Sequence, residues 1–352
     1  MKGTKKIISL LLVFVLVFGL AACGNSGDST TEADSPGEVK QESKQTIVWD
    51  YLSISPNGHP EFILMNEWSD RIYEQTDGQL KINIRLGGEL PFTNTEYLDA
   101  VSAGSVQMAG CLINAISSYL QAMGLPSCPY MITDVDTFRT VMGALDKYRE
   151  AEFSSYGVTN LMNTFFDTQD VYGTGPLPKT YNDLKGIKMR TSGAEQGKFW
   201  QAVGINPVAI DAAEISTALS TKTVDAITTS PTNVLPNKWY EVLDWVYMCN
   251  SMYIPIYSVV NDAALAALPD DVREVFLSVT KAFNDEFPDR MQAASEECIQ
   301  ALQDNGLVPV WATDQEKAEL RAIAMPLWDA FAANAGGQAE DALADIKKAL
   351  GL

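Results

Sequence analysis

The stretch that decides the fold spans residues 180–227 and reads TYNDLKGIKMRTSGAEQGKFWQAVGINPVAIDAAEISTALSTKTVDAI. It contains three short runs typical of strands, at 187–190, 206–210 and 224–227. A helical pattern at 196–203 separates the first two runs, and a second helical pattern separates the last two. Strand, helix, strand, helix, strand is the order that packs as right-handed crossovers on a parallel sheet. The stretch therefore predicts an α/β fold.

Two capping boxes support this order of elements. Thr180-Tyr181-Asn182-Asp183 and Asp211-Ala212-Ala213-Glu214 both place a hydroxyl or carboxylate three residues before a carboxylate. In this spacing the two side chains satisfy free backbone amides at the start of a helix. We expect a short helical turn after the first box and a helix after the second.

The same alternation of β-rich runs and helical patterns covers the rest of the chain from residue 47 onward. About 300 residues are enough for two lobes of ordinary domain size. A long helical pattern runs from Pro269 toward Asn305 with Pro288 inside it. Because an internal proline removes one hydrogen bond and bends the axis, we expect a kinked helix that passes between the lobes.

The predicted division follows from these elements. Lobe I consists of residues 47–167 plus about 256–290, and lobe II of residues 168–255 plus about 291–352. We find no internal repeat that would suggest another architecture.

Residues 1–22 have the pattern of a signal peptide. Three lysines among the first six residues precede an almost entirely apolar run at 7–20. A transmembrane helix is the alternative, but fourteen residues reach only about 21 Å, short of the roughly 30 Å hydrocarbon core. The pattern therefore favours an exported protein.

The next residues predict a lipid anchor. Leu20-Ala21-Ala22-Cys23 resembles the lipobox of bacterial lipoproteins, in which the cysteine thiol takes a diacylglyceryl group. Residues 23–46 have few apolar side chains after Cys23 and predict a disordered tether. Two or more acyl chains anchor a protein stably. We expect an extracytoplasmic protein attached through Cys23 to the outer face of the cytoplasmic membrane, in the periplasm or at the cell surface.

The charge and the cysteines exclude some partners and chemistries. The formal net charge is −20, it becomes −23 without the three leader lysines, and no basic run remains, so nucleic acid is excluded as a partner. Net charge does not fix the ligand's charge, because the charge that lines a pocket is local.

Four cysteines lie outside the lipobox without C-x-x-C spacing; buried free thiols are favoured over the three possible pairings. They are Cys111, Cys128, Cys249 and Cys298.

Catalytic motifs are absent from the sequence. His59 is the only histidine, which excludes His-x-x-x-His zinc sites, and its Pro56–Pro60 loop favours a structural or ligand-edge role. There is no Gly-x-Ser-x-Gly, Walker A or Gly-x-Gly-x-x-Gly pattern. Asp134-Val135-Asp136 lacks the rest of an EF-hand loop and is interpreted as a turn or helix cap. We expect a protein that is not an enzyme and uses no cofactor or metal.

Several ordered segments resemble one transport family. Residues 68–82 resemble its helix, Thr-x-Gly turn and strand, and residues 183–190 its Asp-Leu-Lys-Gly-x-Lys-x-Arg signature. Residues 204–208 and 218–226 continue the pattern in the same order. Together they resemble the solute-binding proteins of tripartite ATP-independent periplasmic (TRAP) transporters, the DctP type. The resemblance covers nearly everything after the tether.

This resemblance implies a two-lobe, periplasmic-binding-protein-like (type II-like) fold that closes on a ligand. It also implies a monomer that delivers a small organic acid to TRAP membrane permease subunits, with Arg190 forming a salt bridge to the ligand carboxylate. The predicted position of Arg190 supports this role independently of the resemblance. Arg190 ends a predicted parallel strand, and the ligands of α/β proteins bind beyond the carboxyl ends of such strands. A guanidinium also binds carboxylate through two parallel hydrogen bonds.

Two departures from the family pattern concern the ligand. Where relatives often have Val-Asp-Gly-Gln-Glu-Asn-Pro, this chain has residues 224–230, so Thr229 or Ser230 replaces the usual asparagine. Many dicarboxylate or sialic acid binders carry an arginine where this chain has residues 165–170. We therefore favour a monocarboxylate with a hydroxyl, keto or amide group over a C4-dicarboxylate.

Five further residues are candidates for the ligand pocket because they lie at the end of a predicted strand or between the lobes. They are Trp49 after the first strand, Asn114 after the strand at 106–109, Phe166 and Gln169 at the lobe junction, and Tyr253 on the returning segment. Aromatic residues near strand ends also serve as core, so both roles stay open for them.

Three other functions remain as alternatives. An ABC-importer binding protein shares the lobes but should lack the signature at 183–190. A ligand-presenting sensor would use the same cleft to signal to a membrane receptor. An extracytoplasmic hydrolase is disfavoured by the residue inventory.

Overall fold

The computed structural model describes residues 45–210 and 214–352. The signal peptide, Cys23 and nearly all of the tether lie outside the described residues, and so does the box at 211–214 apart from its last residue. The strands are β1 (Ile47–Leu52), β2 (Leu80–Arg85), β3 (Met108–Leu112), β4 (Val158–Phe166), β5 (Asp170–Gly173), β6 (Lys188–Thr191), β7 (Asn206–Ala209), β8 (Ala226–Thr229), β9 (Trp245–Met248), β10 (Ile254–Asn261) and β11 (Val308–Trp311).

The described helices lie between these strands and at the end of the chain. They are α1 (Pro60–Gln75), α2 (Tyr97–Ser102), α3 (Ile113–Ile116), α4 (Val135–Ser154), α5 (Ala194–Val203), α6 (Ile215–Ser220), α7 (Pro231–Val234), α8 (Asp262–Ala266), α9 (Asp270–Asp304), α10 (Asp314–Ala335) and α11 (Ala339–Ala349). None of the helices in this part of the chain combines the length and the apolar character that a membrane span needs.

The strands form two sheets. The first sheet has the order β2-β1-β3-β10-β4, with β1 parallel to both of its neighbours and β10 antiparallel to both of its own. The second sheet has the order β11-β9-β5-β8-β6-β7. Its strands β6, β7 and β8 are mutually parallel, as the alternation at 180–227 predicts. The α/β two-lobe prediction is confirmed.

Three connections join the two sheets. The chain passes from β4 to β5 through residues 167–169 and returns from β9 to β10 through residues 249–253. The third connection is helix α9. It packs on α1 and β4, which belong with the first sheet, and on α7, which follows β8 of the second sheet. We call these three connections the crossing points.

The long helix extends over 35 residues, from Asp270 to Asp304, without a break at Pro288. Pro269 precedes its first residue, and two aspartates occupy its first turn, where the helix dipole favours them. The expected helix and its contacts with both sides are therefore present, while a kink at Pro288 stays a prediction. The lobe boundaries also stay a prediction. Helix α11 belongs to lobe II in the predicted division, but it packs against α4, which belongs to predicted lobe I.

Several local expectations are confirmed. Thr180 caps a 3₁₀ turn at Tyr181–Leu184 through the predicted capping box. Asp134 is the N-cap of α4, so the Asp134-Val135-Asp136 pattern is a helix start. His59 is the N-cap of α1, which gives it the expected structural role. The four described cysteines are buried free thiols.

Other elements differ from the sequence interpretation. No element is predicted above for α4, β5 or β9, although α4 has 20 residues. Strand β3 begins two residues later than the run at 106–109 and places Asn114 inside the single turn of α3. Strands β5 and β9 are four residues long and buried throughout, so they carry no alternation of polar and apolar side chains that would reveal them.

Candidate functional site

A cleft of about 1040 Å³ opens beside the crossing points. Its walls come from loops of both sheets, which include the β1–α1 loop at 54–57 and the β6–α5 turn at 191–194. Loops after parallel strands line this space because the carboxyl ends of the strands meet at one edge of a sheet. The polar and charged lining residues are Ser55, Asn57, Asn94, Gln169, Arg190, Thr191, Ser192, Glu214, Thr229, Asn233 and Asn237.

Arg190 lines the cleft from β6 and is 8% exposed. Its Nε donates to Ile210 O at 2.9 Å and its Nη1 to Thr228 O at 3.4 Å. These carbonyls belong to segments on either side of β6, so they fix the plane of the guanidinium. A guanidinium held in one plane is a rigid fork that matches a planar carboxylate.

Gln196 joins the residues around Arg190 and was missed by sequence reasoning. Its Oε1 accepts from Ser192 N at 2.8 Å and from Thr228 Oγ1 at 2.6 Å. One buried amide thus ties the β6–α5 turn to β8, whose Thr228 carbonyl holds Arg190. Nothing in the sequence pattern distinguishes Gln196 from any polar residue in the first turn of a helix.

The two candidates at the end of β8 have different surroundings. Thr229 is 4% exposed and lines the cleft. Ser230 is fully buried, and its Oγ lies 3.0 Å from Thr232 Oγ1 and accepts from Asn233 Nδ2 at 2.9 Å. Ser230 is not among the described residues that line the cleft, but it orients Asn233, which is. Asn233 was not a candidate from sequence.

The lobe-junction candidates Phe166 and Gln169 both line the cleft. Phe166 ends β4, and its ring centroid lies 5.0 Å from that of His59. Gln169 lies in the first crossing, and its backbone N–H donates to Met252 O in the second crossing at 2.8 Å. Its Nε2 donates to Asp167 O at 2.9 Å. Both candidates therefore stand where the lobes meet.

The remaining three candidates lie around the cleft rather than on its described walls. Asn114 donates through Nδ2 to Ser192 Oγ, which lines the cleft, at 3.2 Å. Trp49 is 4% exposed and packs edge-on against Phe276 of α9, 5.5 Å between centroids. Tyr253 packs against Phe165 at 4.9 Å. Trp49 and Tyr253 thus have the core role that the sequence left open for aromatic residues.

Two buried carboxyl groups lie at the crossings, Asp167 within the first crossing and Asp170 directly after it, at the start of β5. Asp167 accepts hydrogen bonds from Thr232 Oγ1 and Ser295 Oγ, which belong to α7 and α9. Burial raises its pKa to about 6, and the hydroxyl groups around it limit the rise. Asp167 therefore ties the first crossing to two helices.

Asp170 ties the two crossings to each other. Its Oδ1 accepts from the backbone N–H groups of Cys249 and Asn250 at 2.8 and 2.7 Å. Burial raises its pKa to about 7, although these amides and Thr168 lower it. No cluster of His, Cys, Asp and Glu suited to a metal ion occurs within the described ranges.

Comparison with known proteins places the chain in a family. The profile of DctP, described as "Bacterial extracellular solute-binding protein, family 7", matches residues 52–334. The 2,3-diketo-L-gulonate-binding periplasmic protein YiaO of Escherichia coli (strain K12) is 25% identical over 221 residues, 62% of this chain and 67% of that protein. The C4-dicarboxylate-binding periplasmic protein DctP of Rhodobacter capsulatus is 25% identical over 268 residues, 75% and 80% of the two chains.

A solved structure shares the fold. DctP7, a Bordetella pertussis extracytoplasmic solute receptor binding pyroglutamic acid, has a TM-score of 0.78 at 20% identity and covers 86% of this chain and 100% of its own. The profile match extends over most of the chain, from the last residue of β1 through the second sheet to α10. The chain therefore belongs to the DctP family of bacterial extracellular solute-binding proteins, the TRAP type.

Proposed function

We propose that this protein captures a small organic monocarboxylate in the cleft and delivers it, without chemical conversion, to the membrane permease of a TRAP transporter. Arg190 binds the ligand carboxylate, and Thr229, Gln169 and Phe166 complete the wall around it. The observation that carries the proposal is the position of Arg190 on the cleft wall, where two backbone carbonyls hold its guanidinium.

The charge of the lining favours one carboxylate rather than two. Among the cleft residues that the structure describes, Arg190 is the one basic side chain and Glu214 the one acidic side chain. A second ligand carboxylate would face neutral amides and hydroxyls or Glu214, and burying a charge without a partner is costly. Neutral polar groups instead suit hydroxyl, keto or amide groups on the ligand.

The named ligands of similar proteins include this chemistry. YiaO of E. coli is named for 2,3-diketo-L-gulonate, and DctP7 of B. pertussis for pyroglutamic acid; each ligand has one carboxylate. The R. capsulatus relative is named for C4-dicarboxylates. The described lining supports a ligand of the first kind for this chain.

The proposal includes attachment to the membrane. Cys23 takes the lipid anchor after removal of residues 1–22, and the tether lets the binding protein reach the permease. Metabolic labelling with an alkyne-bearing fatty acid should label wild type and Cys298→Ser but not Cys23→Ser. Labelling of Cys23→Ser equal to that of wild type would contradict the anchor.

Calorimetric titration tests the binding site. The purified protein should bind one member of a panel that contains pyroglutamate, D-glucuronate, 2,3-diketo-L-gulonate and succinate. Arg190→Met should weaken that binding, because truncating one partner of a buried, hydrogen-bonded charge pair costs about 2–5 kcal/mol. This cost corresponds to roughly 30-fold to 4000-fold in Kd. Arg190→Lys, which keeps the charge but loses the fork, should also bind more weakly than wild type.

Arg139→Met is the matched control, since Arg139 forms an exposed ion pair with Asp289. Thermal melting of each variant reports whether it is folded. If folded Arg190→Met and Arg190→Lys proteins both bind the ligand within threefold of wild type, Arg190 is not the carboxylate site. Tighter binding of succinate than of every monocarboxylate would overturn the preference for one carboxylate.

A further inference from the structure

Three buried polar side chains lie behind the first-sheet wall of the cleft, and each has one atom without a hydrogen-bond partner. We call Ser55, His59 and Glu61 the polar cluster. Ser55 Oγ, His59 Nε2 and Glu61 Oε2 are all buried and without a partner. Ser55 also lines the cleft, so the cluster reaches the space that the ligand occupies.

The side chains of His59 and Glu61 lie side by side beneath β4. Glu61 Oε1 accepts from Thr164 Oγ1 at 3.2 Å, and the His59 ring packs on Phe166. Thr164 and Phe166 are two residues apart, so they point to the same face of the strand. Ser55 lies close enough to Glu61 for its hydroxyl to lower the pKa of that carboxyl, against the larger effect of burial. The three side chains thus form one group.

The hydrogen-bonding capacity of the cluster follows from the contacts already made. His59 Nδ1 accepts from Glu61 N at 3.1 Å, so the proton of the neutral ring is on Nε2. Burial keeps the ring neutral by lowering its pKa to about 3. The cluster therefore has one unused donor, His59 Nε2–H, and one unused acceptor, Glu61 Oε2. Ser55 Oγ can serve as either.

Buried polar groups in folded proteins almost always have partners, and those without one call for a water, an ion or a ligand. Ser55 is the member that faces the cleft. Above the pKa of about 7 of Glu61, the Ser55 hydroxyl can turn its hydrogen toward the ionised carboxylate and leave its lone pairs for a donor in the cleft. In that arrangement Ser55 is an acceptor at the cleft wall.

We propose that the polar cluster is a specificity subsite in which Ser55 contacts the ligand while Glu61 and His59 orient its hydroxyl. The site then selects carboxylates that carry a neutral hydrogen-bond donor away from the carboxylate. In a small organic acid this donor is a hydroxyl or an amide N–H. The inference rests on the proposed function, since it takes Arg190 as the carboxylate end of the site. Ser55 is the contact residue, and Glu61 and His59 are positioning residues.

Matched ligand pairs test the donor directly. Pyroglutamate is compared with 5-oxotetrahydrofuran-2-carboxylate, in which oxygen replaces the N–H, and 4-hydroxybutanoate with butanoate. Titrations are run at pH 8, above the pKa of about 7 to which burial raises Glu61. The donor-bearing member of at least one pair should bind about tenfold or more tightly, because a site built to pair with a donor rejects the analogue that lacks it. The pair that shows the preference separates an N–H from a hydroxyl.

Variants test the residues. Ser55→Ala should bring the affinity ratio of that pair to within threefold of unity, and Ser55→Thr should restore it. Glu61→Gln should lower the ratio while the protein remains folded, as should His59→Asn, which can still cap α1. Ser127→Ala is the matched control, since Ser127 Oγ is also buried without a partner but is not among the described residues of the cleft wall.

The outcomes separate this inference from the proposed function. If wild type binds carboxylates in an Arg190-dependent way but prefers no donor-bearing ligand, the subsite is wrong and the function stands. An unchanged ratio in Ser55→Ala would mean that the cluster holds only structural water. If no carboxylate binds, or if Arg190→Met and Arg190→Lys bind the ligand as wild type does, the proposed function is wrong, and the subsite that rests on it is wrong as well.

Discussion

Asn114 Nδ2 donates a hydrogen bond to Ser192 Oγ at 3.2 Å and so joins the helix turn after β3 of the first sheet to the turn after β6 of the second. The neighbouring Gly193 also contacts Asn114, because a Cβ on Gly193 would lie 3.1 Å from Asn114 Cγ. The two sides of the cleft thus meet at one polar contact, where a larger residue than glycine does not fit without movement.

Removal of this contact should weaken ligand binding. Asn114→Ala loses one hydrogen bond that exists only when the two sides meet, which is worth about 0.5–1.5 kcal/mol. A closed state that is less stable by this amount raises Kd about twofold to tenfold. Titration of the same ligand with wild type and Asn114→Ala measures the effect.

A double-mutant cycle with Ser192→Ala supplies the control. Ser192 Oγ also donates to Gln196 Oε1 at 3.2 Å, so Ser192→Ala has a loss of its own. If the pair acts as inferred, Asn114→Ala adds little to that loss. Asn66→Ala is the matched single variant, since Asn66 bonds only within α1 to Phe62 O in the described structure. Additive losses from Asn114→Ala and Ser192→Ala would show that the hydrogen bond between them does not contribute to closure.

Gln196→Met should impair binding through Arg190 rather than through any ligand contact of its own. The substitution keeps the size of the side chain but removes the acceptor of Ser192 N, and it leaves Thr228 Oγ1 only its longer bond, 3.4 Å, to Arg190 O. Loss of a buried partner costs about 1–3 kcal/mol of stability, and the freed β8 carbonyl no longer fixes the guanidinium. We expect a lower unfolding free energy in urea and a Kd raised about tenfold.

Lys198→Met, on the exposed side of the same helix, is the control, since Lys198 pairs only with Glu195 in the described structure. Loss of stability in Gln196→Met with unchanged affinity would contradict a role in positioning Arg190.

The sequence identifies the parts of the site that depend on strand order. Arg190 and Thr229 lie at strand ends that the alternation at 180–227 predicts, and ligands gather at such ends. Helix α4 was also within reach of sequence reasoning, because Phe138, Val141 and Leu145 repeat with helical spacing.

Other parts of the site are outside the reach of pattern reasoning. Gln196 and Glu61 act through partners that are distant in sequence: Thr228 lies 32 residues from Gln196, and Thr164 lies 103 residues from Glu61. Glu61 is buried, whereas a glutamate in the first turn of a helix is usually exposed. Trp49 shows the reverse problem, since an aromatic residue in a first strand has the same pattern whether it faces core or ligand.

Buried Asp170 should give the stability of the protein a measurable dependence on pH. Its pKa is about 7 in the folded protein and about 3.9 in an unfolded chain. A raised folded-state pKa means that its contribution is fully present below about pH 4 and is lost as pH rises toward 7. The stability of wild type relative to Asp170→Asn should therefore fall by about 2–4 kcal/mol from pH 4 to pH 8.

Urea unfolding at several pH values measures this difference. Asparagine Oδ1 can still accept from the amides of Cys249 and Asn250, so the fold is kept. Asp167 contributes with the same sign and His59, whose pKa is lowered, with the opposite sign, but both are present in each protein. A constant difference between wild type and Asp170→Asn across pH would mean that Asp170 stays ionised when folded.

The buried thiols should be silent toward reagents until the protein unfolds. Burial raises the pKa of Cys298 to about 11 and those of the other three described thiols still further above their usual value, so little reactive thiolate exists at pH 8. Dithionitrobenzoate should label Cys111, Cys128, Cys249 and Cys298 slowly in buffer and completely in urea. Because Cys249 lies in the second crossing, bound ligand should slow its labelling further by favouring the closed state. Rapid labelling of Cys249 in the native protein would show that the second crossing opens more readily than its buried contacts imply.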